Sequence, residues 1–323
     1  MFNYFTSHWA KTLDDLIDDA QSVVLITVVK VEGSAPRSST SRMLVLKDRV
    51  IETIGGGNLE LQVISLARRM LDDQDKNDYR LELYGLGPAL QQCCGGAVTI
   101  AFEKIQQRPK WLTESRKYLD QADCILVTHY GEDKATREFY KSVTELDKNY
   151  GSHSLIEKFN PLMPDVVVFG AGHVGSALVN VLAGLPFKIH WVDERSELFP
   201  QALPDNVRQY SNALWVELIK QLPDDALNIV MTHSHELDED ICFEYLNKKA
   251  FYFLGLIGSK TKRARFLHRL RDRGIAQEQL NRLICPIGVS EVTGNSPPEI
   301  AIGVAAQLLS VRDKIKLDNA LNE

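Results

Sequence analysis

The sequence predicts an α/β fold in two domains, residues 1–160 and 161–323: a doubly wound parallel sheet in the C-terminal part, preceded by a smaller N-terminal α/β domain with a mixed sheet. Three observations carry this. Beyond residue 165 short β-branched runs alternate with helical stretches, the signature of a parallel sheet covered by helices. Val166-Val167-Val168-Phe169 runs straight into Gly170-Ala171-Gly172-His173-Val174-Gly175, and an apolar helix follows. Before residue 160 the order is instead helix, strand, hairpin and further strands.

Leu13, Leu16, Ile17 and Ala20 recur at helical spacing, and Val23 to Val29 is apolar and β-branched enough for a buried strand. Arg42 to Lys47 and Val50 to Ile54 read as strands joined at Asp48-Arg49, a connection short enough for a hairpin. Gly55-Gly56-Gly57-Asn58 then feeds a helix. Asn58 is placed to cap it, Glu60 sits in the first turn where the dipole favours an acid, and Leu59, Val63, Leu66, Ala67 and Met70 line one face. Leu81 to Tyr84 and Val98 to Phe102 are two more strands, with the segment Gly85 to Gly96 between them. Residues 105–160 offer a helical stretch, one strand at Cys124 to Thr128, and a polar region from Gly131 to Gly151 without a clear period. Two prolines within Asn160-Pro161-Leu162-Met163-Pro164 mark the seam.

Past the seam the strands are Val166 to Phe169, Lys188 to Val192, Asn228 to Thr232, Phe251 to Ile257 and Ile284 to Gly288. Helices fill the intervals, the last starting near Pro297-Pro298-Glu299 and running through Ala305 to Leu309. The strand, glycine turn and helix that begin this half make it Rossmann-like. Gly170, Gly172 and Gly175 permit the tight turn, the approach of a phosphate to backbone and close helix packing, while the helix N-terminus beside His173 stabilises an anion. Asp193 ends the next strand, 18 residues after Gly175, where an acid binds a ribose hydroxyl. NAD or NADP is therefore one expectation, and a turn kept for packing or for another phosphate-bearing ligand is the other.

Of 323 residues 44% are hydrophobic, enough for two ordinary cores, and 37 basic against 43 acidic side chains give a net charge of −6. That balance argues against a charge-driven nucleic-acid surface. Asp14, Asp15, Asp18 and Asp19 interrupt the first twenty residues, so they do not form a secretory signal, and no apolar run approaches the roughly 20 residues of a membrane span. Five irregularly spaced cysteines read as reduced thiols in a cytoplasm.

Two of those cysteines, Cys93 and Cys94, are adjacent and followed by Gly95-Gly96. A thiolate is both nucleophile and soft metal ligand, and the glycines let backbone N–H groups converge on an anion. A strained vicinal disulfide, and hence a redox sensor, is a further reading of the same pair. Thr232-His233-Ser234-His235-Glu236-Leu237-Asp238 follows a strand at the carboxyl edge, where His233, His235 and Asp238 can contact a ligand or cap the helix. Gly258-Ser259-Lys260-Thr261-Lys262-Arg263 is a small-residue turn with hydroxyls and three cations, suited through Ser259, Lys260, Lys262 and Arg263 to a phosphate. Arg265, Arg269, Arg271 and Arg273 read as a solvated face. Gly33-Ser34-Ala35-Pro36-Arg37 is a polar turn whose Arg37 can pair with a phosphate or carboxylate.

Taken together, GSAPR at Gly33 to Arg37, IGGGNLE at Ile54 to Glu60, LGPALQQCCGG at Leu86 to Gly96, VVVFGAGHVG at Val166 to Gly175, THSHELD at Thr232 to Asp238, GLIGSKTKRARF at Gly255 to Phe266 and PPEIAIGVAAQLL at Pro297 to Leu309 resemble the XdhC/CoxI family, accessory proteins that mature bacterial molybdenum hydroxylases. The GGGNLE form is closer to the XdhC branch. Gln91, where the family usually has glycine, and Asn295, where lysine is common, depart from the pattern. The resemblance implies a chaperone that binds molybdenum cofactor (molybdopterin) with the help of Cys93 or Cys94 as a molybdenum ligand, and holds it while a cysteine desulfurase supplies sulfur. It then delivers the cofactor to apo xanthine dehydrogenase. The cofactor's phosphate would use Gly170 to Gly175 or Ser259 to Arg263. A homodimer is compatible with such a protein; nucleic acid and membrane are not expected partners. An NAD(P)-dependent oxidoreductase is the competing reading.

Overall fold

The computed structural model describes residues 2–3, 8–35, 37–72, 77–86, 95–119, 124–146, 150–151, 153–159, 163–211, 215–248 and 250–322. They belong to two compact units, Met1–Pro161 and Leu162–Glu323.

The first unit contains β1 (Phe2–Asn3), α1 (Trp9–Asp18), β2 (Val23–Glu32), β3 (Arg42–Val45), β4 (Val50–Ile51), α2 (Gly57–Leu71), β5 (Tyr79–Gly85) and β6 (Ala97–Ile105). Its six strands lie in the order β1-β4-β3-β2-β6-β5. β1 runs parallel to β4, and the other neighbours are antiparallel, which makes the sheet mixed. The β3–β4 hairpin closes where Leu46 N–H donates to Arg49 O at 3.0 Å. Side-chain alternation divides β2 between two cores. Val24, Ile26 and Val28 pack with Leu59, Val63 and Ala67 of α2, whereas Val23 and Leu25 pack with Leu13 and Leu16 of α1. α1 ends before the expected Ala20, which takes a left-handed φ of 56° beyond the Asp19 cap.

Residues 105–160 hold more order than their polarity predicts: α3 (Lys110–Ser115) and a three-stranded antiparallel sheet, β8-β7-β9, made of β7 (Ile125–Tyr130), β8 (Ala135–Tyr140) and β9 (Ser154–Lys158). Its inner face joins the six-stranded sheet through two buried ion pairs. Arg42 of β3 meets Glu157 of β9, with Nη1 to Oε2 at 2.9 Å, and Arg137 of β8 meets Glu103 of β6, with Nη1 to Oε2 at 2.8 Å. The Trp9 ring lies 4.3 Å from the Arg42 guanidinium, and the Trp111 ring 4.2 Å from that of Arg137. Charged residues turned inward erase the alternation by which a strand is recognised.

The second unit contains β10 (Asp165–Phe169), α4 (His173–Leu182), β11 (Lys188–Val192), β12 (Val207–Tyr210), α5 (Trp215–Gln221), β13 (Leu227–Val230), α6 (His235–Lys248), β14 (Phe253–Leu256), α7 (Lys260–Asp272), α8 (Gln277–Leu280), β15 (Leu283–Ile284) and α9 (Pro297–Asn322). All six strands are parallel, in the order β12-β11-β10-β13-β14-β15. The first strand thus lies inside the sheet, and the chain winds outward first one way and then the other. Val166 and Val168 face α4 and α9, while Val167 and Phe169 face α5, α6, α7 and α8, so the sheet is covered on both sides. The edge strand β12 was not expected from the sequence, since only Val207 among its four residues is buried.

Candidate functional site

Ligands of open parallel sheets bind beyond the carboxyl ends of the strands, where the winding reverses. Here that point lies between β10 and β13. The glycine turn after β10 divides into positions the fold needs and one it does not. A Cβ on Gly175 would stand 2.0 Å from Gly170 O, and one on Gly170, whose φ is 121°, would stand 2.3 Å from Met231 O. A Cβ on Gly172 would meet nothing within 4 Å, and its φ of −69° is open to any residue. Gly172 is the N-cap of α4 and makes no side-chain cap, while His173, the first residue of the helix, is exposed. The first and third glycines are explained by packing. The second is left to whatever approaches the helix end.

At the end of β11, Asp193 does not offer a free carboxylate. Oδ2 accepts from Ala171 N at 2.7 Å and Arg195 Nη2 at 2.8 Å, and Oδ1 accepts from Arg195 N at 3.0 Å and Nε at 2.9 Å. Burial alone would disfavour the charge, but the Arg195 guanidinium and the two amides outweigh it and hold the carboxyl down at about 2. A carboxyl depressed in the folded state stabilises the fold above its unfolded pKa near 3.8, and that contribution fades as pH falls towards 2. Asp193→Asn should therefore cost about 2 kcal/mol at pH 5, and the gap to the unsubstituted chain should narrow by pH 2.5. Urea titrations at the two pH values measure it, and a gap independent of pH would refute the assignment.

The loop after β13 is organised around Asp238 rather than around its histidines. The buried Oδ1 accepts from Thr232 N at 2.9 Å and Thr232 Oγ1 at 2.8 Å, and Oδ2 takes Lys262 Nζ at 2.8 Å. Lys262 is thus committed to holding α7 against α6. His235 opens α6 with its side chain 79% exposed, and His233 Nε2 lies 3.7 Å from Glu194 Oε1. Both face solvent at the strand ends. Ser259 caps α7 by accepting from Lys262 N at 3.2 Å, Lys260 is exposed, and Arg263 is half-buried in the first turn. The structure therefore brings the glycine turn, Asp193, His233, Ser259 and Arg263 to one edge of one sheet, but ties Asp193 and Lys262 to protein partners.

In the first unit three motifs meet at one end of the six-stranded sheet. Leu86 N–H donates to Gly96 O at 2.8 Å, joining the ends of residues 87–95. A Cβ on Gly96 would stand 2.4 Å from Glu32 O, and one on Gly33 would stand 3.1 Å from Gly96 Cα, so the turn after β2 presses on this neck. Ala35, Leu59 and Leu86 share one apolar cluster. Gly56, not the expected Asn58, precedes α2 as its N-cap, because Glu60 turns back: its Oε2 accepts from Ile54 N at 2.9 Å, Gly56 N at 3.0 Å and the Thr53 hydroxyl. Gly95 is open to a Cβ. Arg37 is exposed. Cys93 and Cys94, with Gln91, lie outside the described residues.

The other thiols are poor donors. Cys124, Cys242 and Cys285 are free and buried, and burial pushes the Cys124 thiol up to about 11 and the other two up as well. Among the described residues no three His, Cys, Asp or Glu side chains are arranged to hold a metal ion, and no helix is long and apolar enough to cross a membrane. Sequence reasoning missed Arg195 and Glu60 as organisers; the only signal was their position, one two residues past Asp193 and the other closing the glycine run.

A model of the XdhC Rossmann domain matches residues 166–308, and a model of the XdhC and CoxI family matches residues 16–85. The chain is 26% identical over 345 residues to a probable xanthine dehydrogenase component of Bacillus subtilis, covering 94% of this chain and 97% of that protein. It is 21% identical over 305 residues to the molybdenum cofactor insertion chaperone PaoD of Escherichia coli, covering 93% and 87% of the two. The crystal structure of a xanthine dehydrogenase from Bacillus halodurans shares the fold, with a TM-score of 0.74 and 21% identity over 94% of this chain and 96% of that one.

Proposed function

Because the chain belongs to the XdhC and CoxI family, we propose that it is a non-catalytic chaperone that binds molybdenum cofactor, shields it while a cysteine desulfurase supplies a terminal sulfido ligand, and delivers it to an apo xanthine dehydrogenase. Two relatives support the reading, one named for cofactor insertion and one for xanthine dehydrogenase. The observation that carries it is the neck of residues 87–95: a hydrogen bond from Leu86 to Gly96, and a glycine that no side chain can replace without meeting Glu32 and Ser34. That neck fixes the ends of the segment bearing Cys93 and Cys94, the two thiols left once the three buried ones are set aside.

The donor set fits the cofactor. A thiolate is a soft ligand for a molybdenum–sulfur centre, and backbone N–H groups suit an anionic pterin substituent. When bound, the cofactor supplies the metal centre that the client enzyme later uses. The chain's own work is to hold that centre through Cys93 or Cys94; the α4 and α7 N-termini, where Gly172 and Ser259 stand, each suit a phosphate in their own right.

Anaerobic gel filtration with cofactor, read as co-eluting molybdenum and pterin, tests this. The unsubstituted chain should retain cofactor, and Cys93→Ser/Cys94→Ser should retain at least about tenfold less, since loss of even an outer-shell contact costs that much in metal affinity. Unchanged retention in the double variant would sink the thiol assignment.

A further inference from the structure

A dinucleotide-binding sheet reads the ribose beside adenine with a carboxylate at the end of its second strand. In this chain the acceptor positions of that carboxylate are already filled. An ionised carboxylate offers about four lone-pair positions, and Asp193 meets four donors: Ala171 N at 2.7 Å, and Arg195 N, Nε and Nη2 at 3.0, 2.9 and 2.8 Å. The Asp193 side chain is 3% exposed and that of Arg195 is 32% exposed, so the end of β11 presents a guanidinium to the solvent rather than an acid. The next acid, Glu194, is 63% exposed, its Oε1 3.7 Å from Nε2 of His233 at the end of β13. The buried acid that ends the second strand does not stand ready for a diol.

We propose that Arg195 is a specificity-determining residue that closes this Rossmann domain to NAD by satisfying the carboxylate that the ribose hydroxyls would need. A ribose entering this position has to displace a two-pronged, charge-assisted pair, for which neutral hydroxyls are weaker partners. Glycine turn and sheet order are those of a dinucleotide site, and the second-strand acid is present, yet the acid is spent inside the protein. Ligands of this domain are then held through the helix end and the strand-end polar groups, without a carboxylate-bound diol. The inference stands on Asp193 and Arg195 alone and does not require the molybdenum reading.

Calorimetric titration of NAD into the full-length chain tests it, with Arg195→Ala, Arg195→Met, which keeps the aliphatic stem, and Arg195→Ala/Asp193→Asn run beside it. The unsubstituted chain should show no saturation below about 1 mM. Freeing the carboxylate should tighten NAD binding at least about tenfold, because a hydrogen bond to a charged acceptor is among the stronger ones, and adding Asp193→Asn should remove the gain. Saturable binding of NAD by the unsubstituted chain overturns the proposal. So does a folded Arg195 variant that gains nothing, or a gain that survives Asp193→Asn. Should both Arg195 variants fail to fold, Arg195→Lys, which keeps the charge but not the two-pronged pair, takes their place, and no gain of NAD affinity there overturns the proposal. Cofactor retention measured on the same preparations reports separately on the chaperone reading.

Discussion

Glu103→Ala is expected to lower the unfolding free energy of the N-terminal unit by about 3–5 kcal/mol, a large part of the roughly 5–15 kcal/mol that holds a domain folded. The Arg137 side chain is fully buried between the two sheets, and both of its Nη atoms donate to the Glu103 carboxylate. Burial favours loss of its proton, but the paired carboxylate more than compensates and raises its pKa. Removing Glu103 therefore leaves a buried charge without its hydrogen-bonded partner, beside the Trp111 face and near a Glu157 carboxylate already paired with Arg42. Glu103→Leu/Arg137→Met removes both charges at similar volume and should be far less harmful, since a buried pair replaced by apolar groups is often neutral. Urea unfolding followed by circular dichroism distinguishes the two. Equal losses in the single and double variants would show that packing, not the stranded charge, sets the cost.

Gly175→Ala and Gly172→Ala, two substitutions three residues apart, should diverge. The first places a methyl group 2.0 Å from a backbone carbonyl that cannot retreat, because Gly170 is itself pressed against Met231 O. Such overpacking costs about 3 kcal/mol or more. The second adds a methyl group in open space at a helix N-cap, which should change stability by about 1 kcal/mol at most. It should still weaken any ligand whose phosphate approaches the turn. Thermal unfolding combined with cofactor retention reads both effects. If Gly172→Ala left retention untouched, the α4 turn would not be a phosphate site for the cofactor.

The sequence announced the C-terminal half clearly because the inner strands β10, β13 and β14 are buried on both faces and read as apolar runs, whereas the mostly exposed edge strand β12 did not. Val166 to Phe169 and the glycines after it needed no tertiary information. Of the three-stranded sheet only β7 was legible, as the strand expected at Cys124 to Thr128, because β8 and β9 turn Arg137 and Glu157 towards the interior and their pattern reads as loop. Glu60 was read as a dipole partner in the first helical turn, whereas its carboxylate gathers the amides of a preceding loop whose path is set by three glycines. The candidate site was legible as a set of segments but not as a wiring. That Asp193 and Asp238 are saturated by Arg195, Thr232 and Lys262 depends on distances that spacing along the chain does not encode.

The hydrogen bond between Leu86 and Gly96 also bears on how this protein can change over evolutionary time. It closes residues 87–95 at the base with main-chain atoms, and β5 and β6 stay registered from Tyr79 opposite Glu103 to Gly85 opposite Ala97 whatever those residues are. Exchanges within the segment are therefore separated from the sheet by main-chain contacts that do not depend on its side chains. The same junction is a natural graft point. Segments from other members of the family could be exchanged there with the sheet of the host left in register.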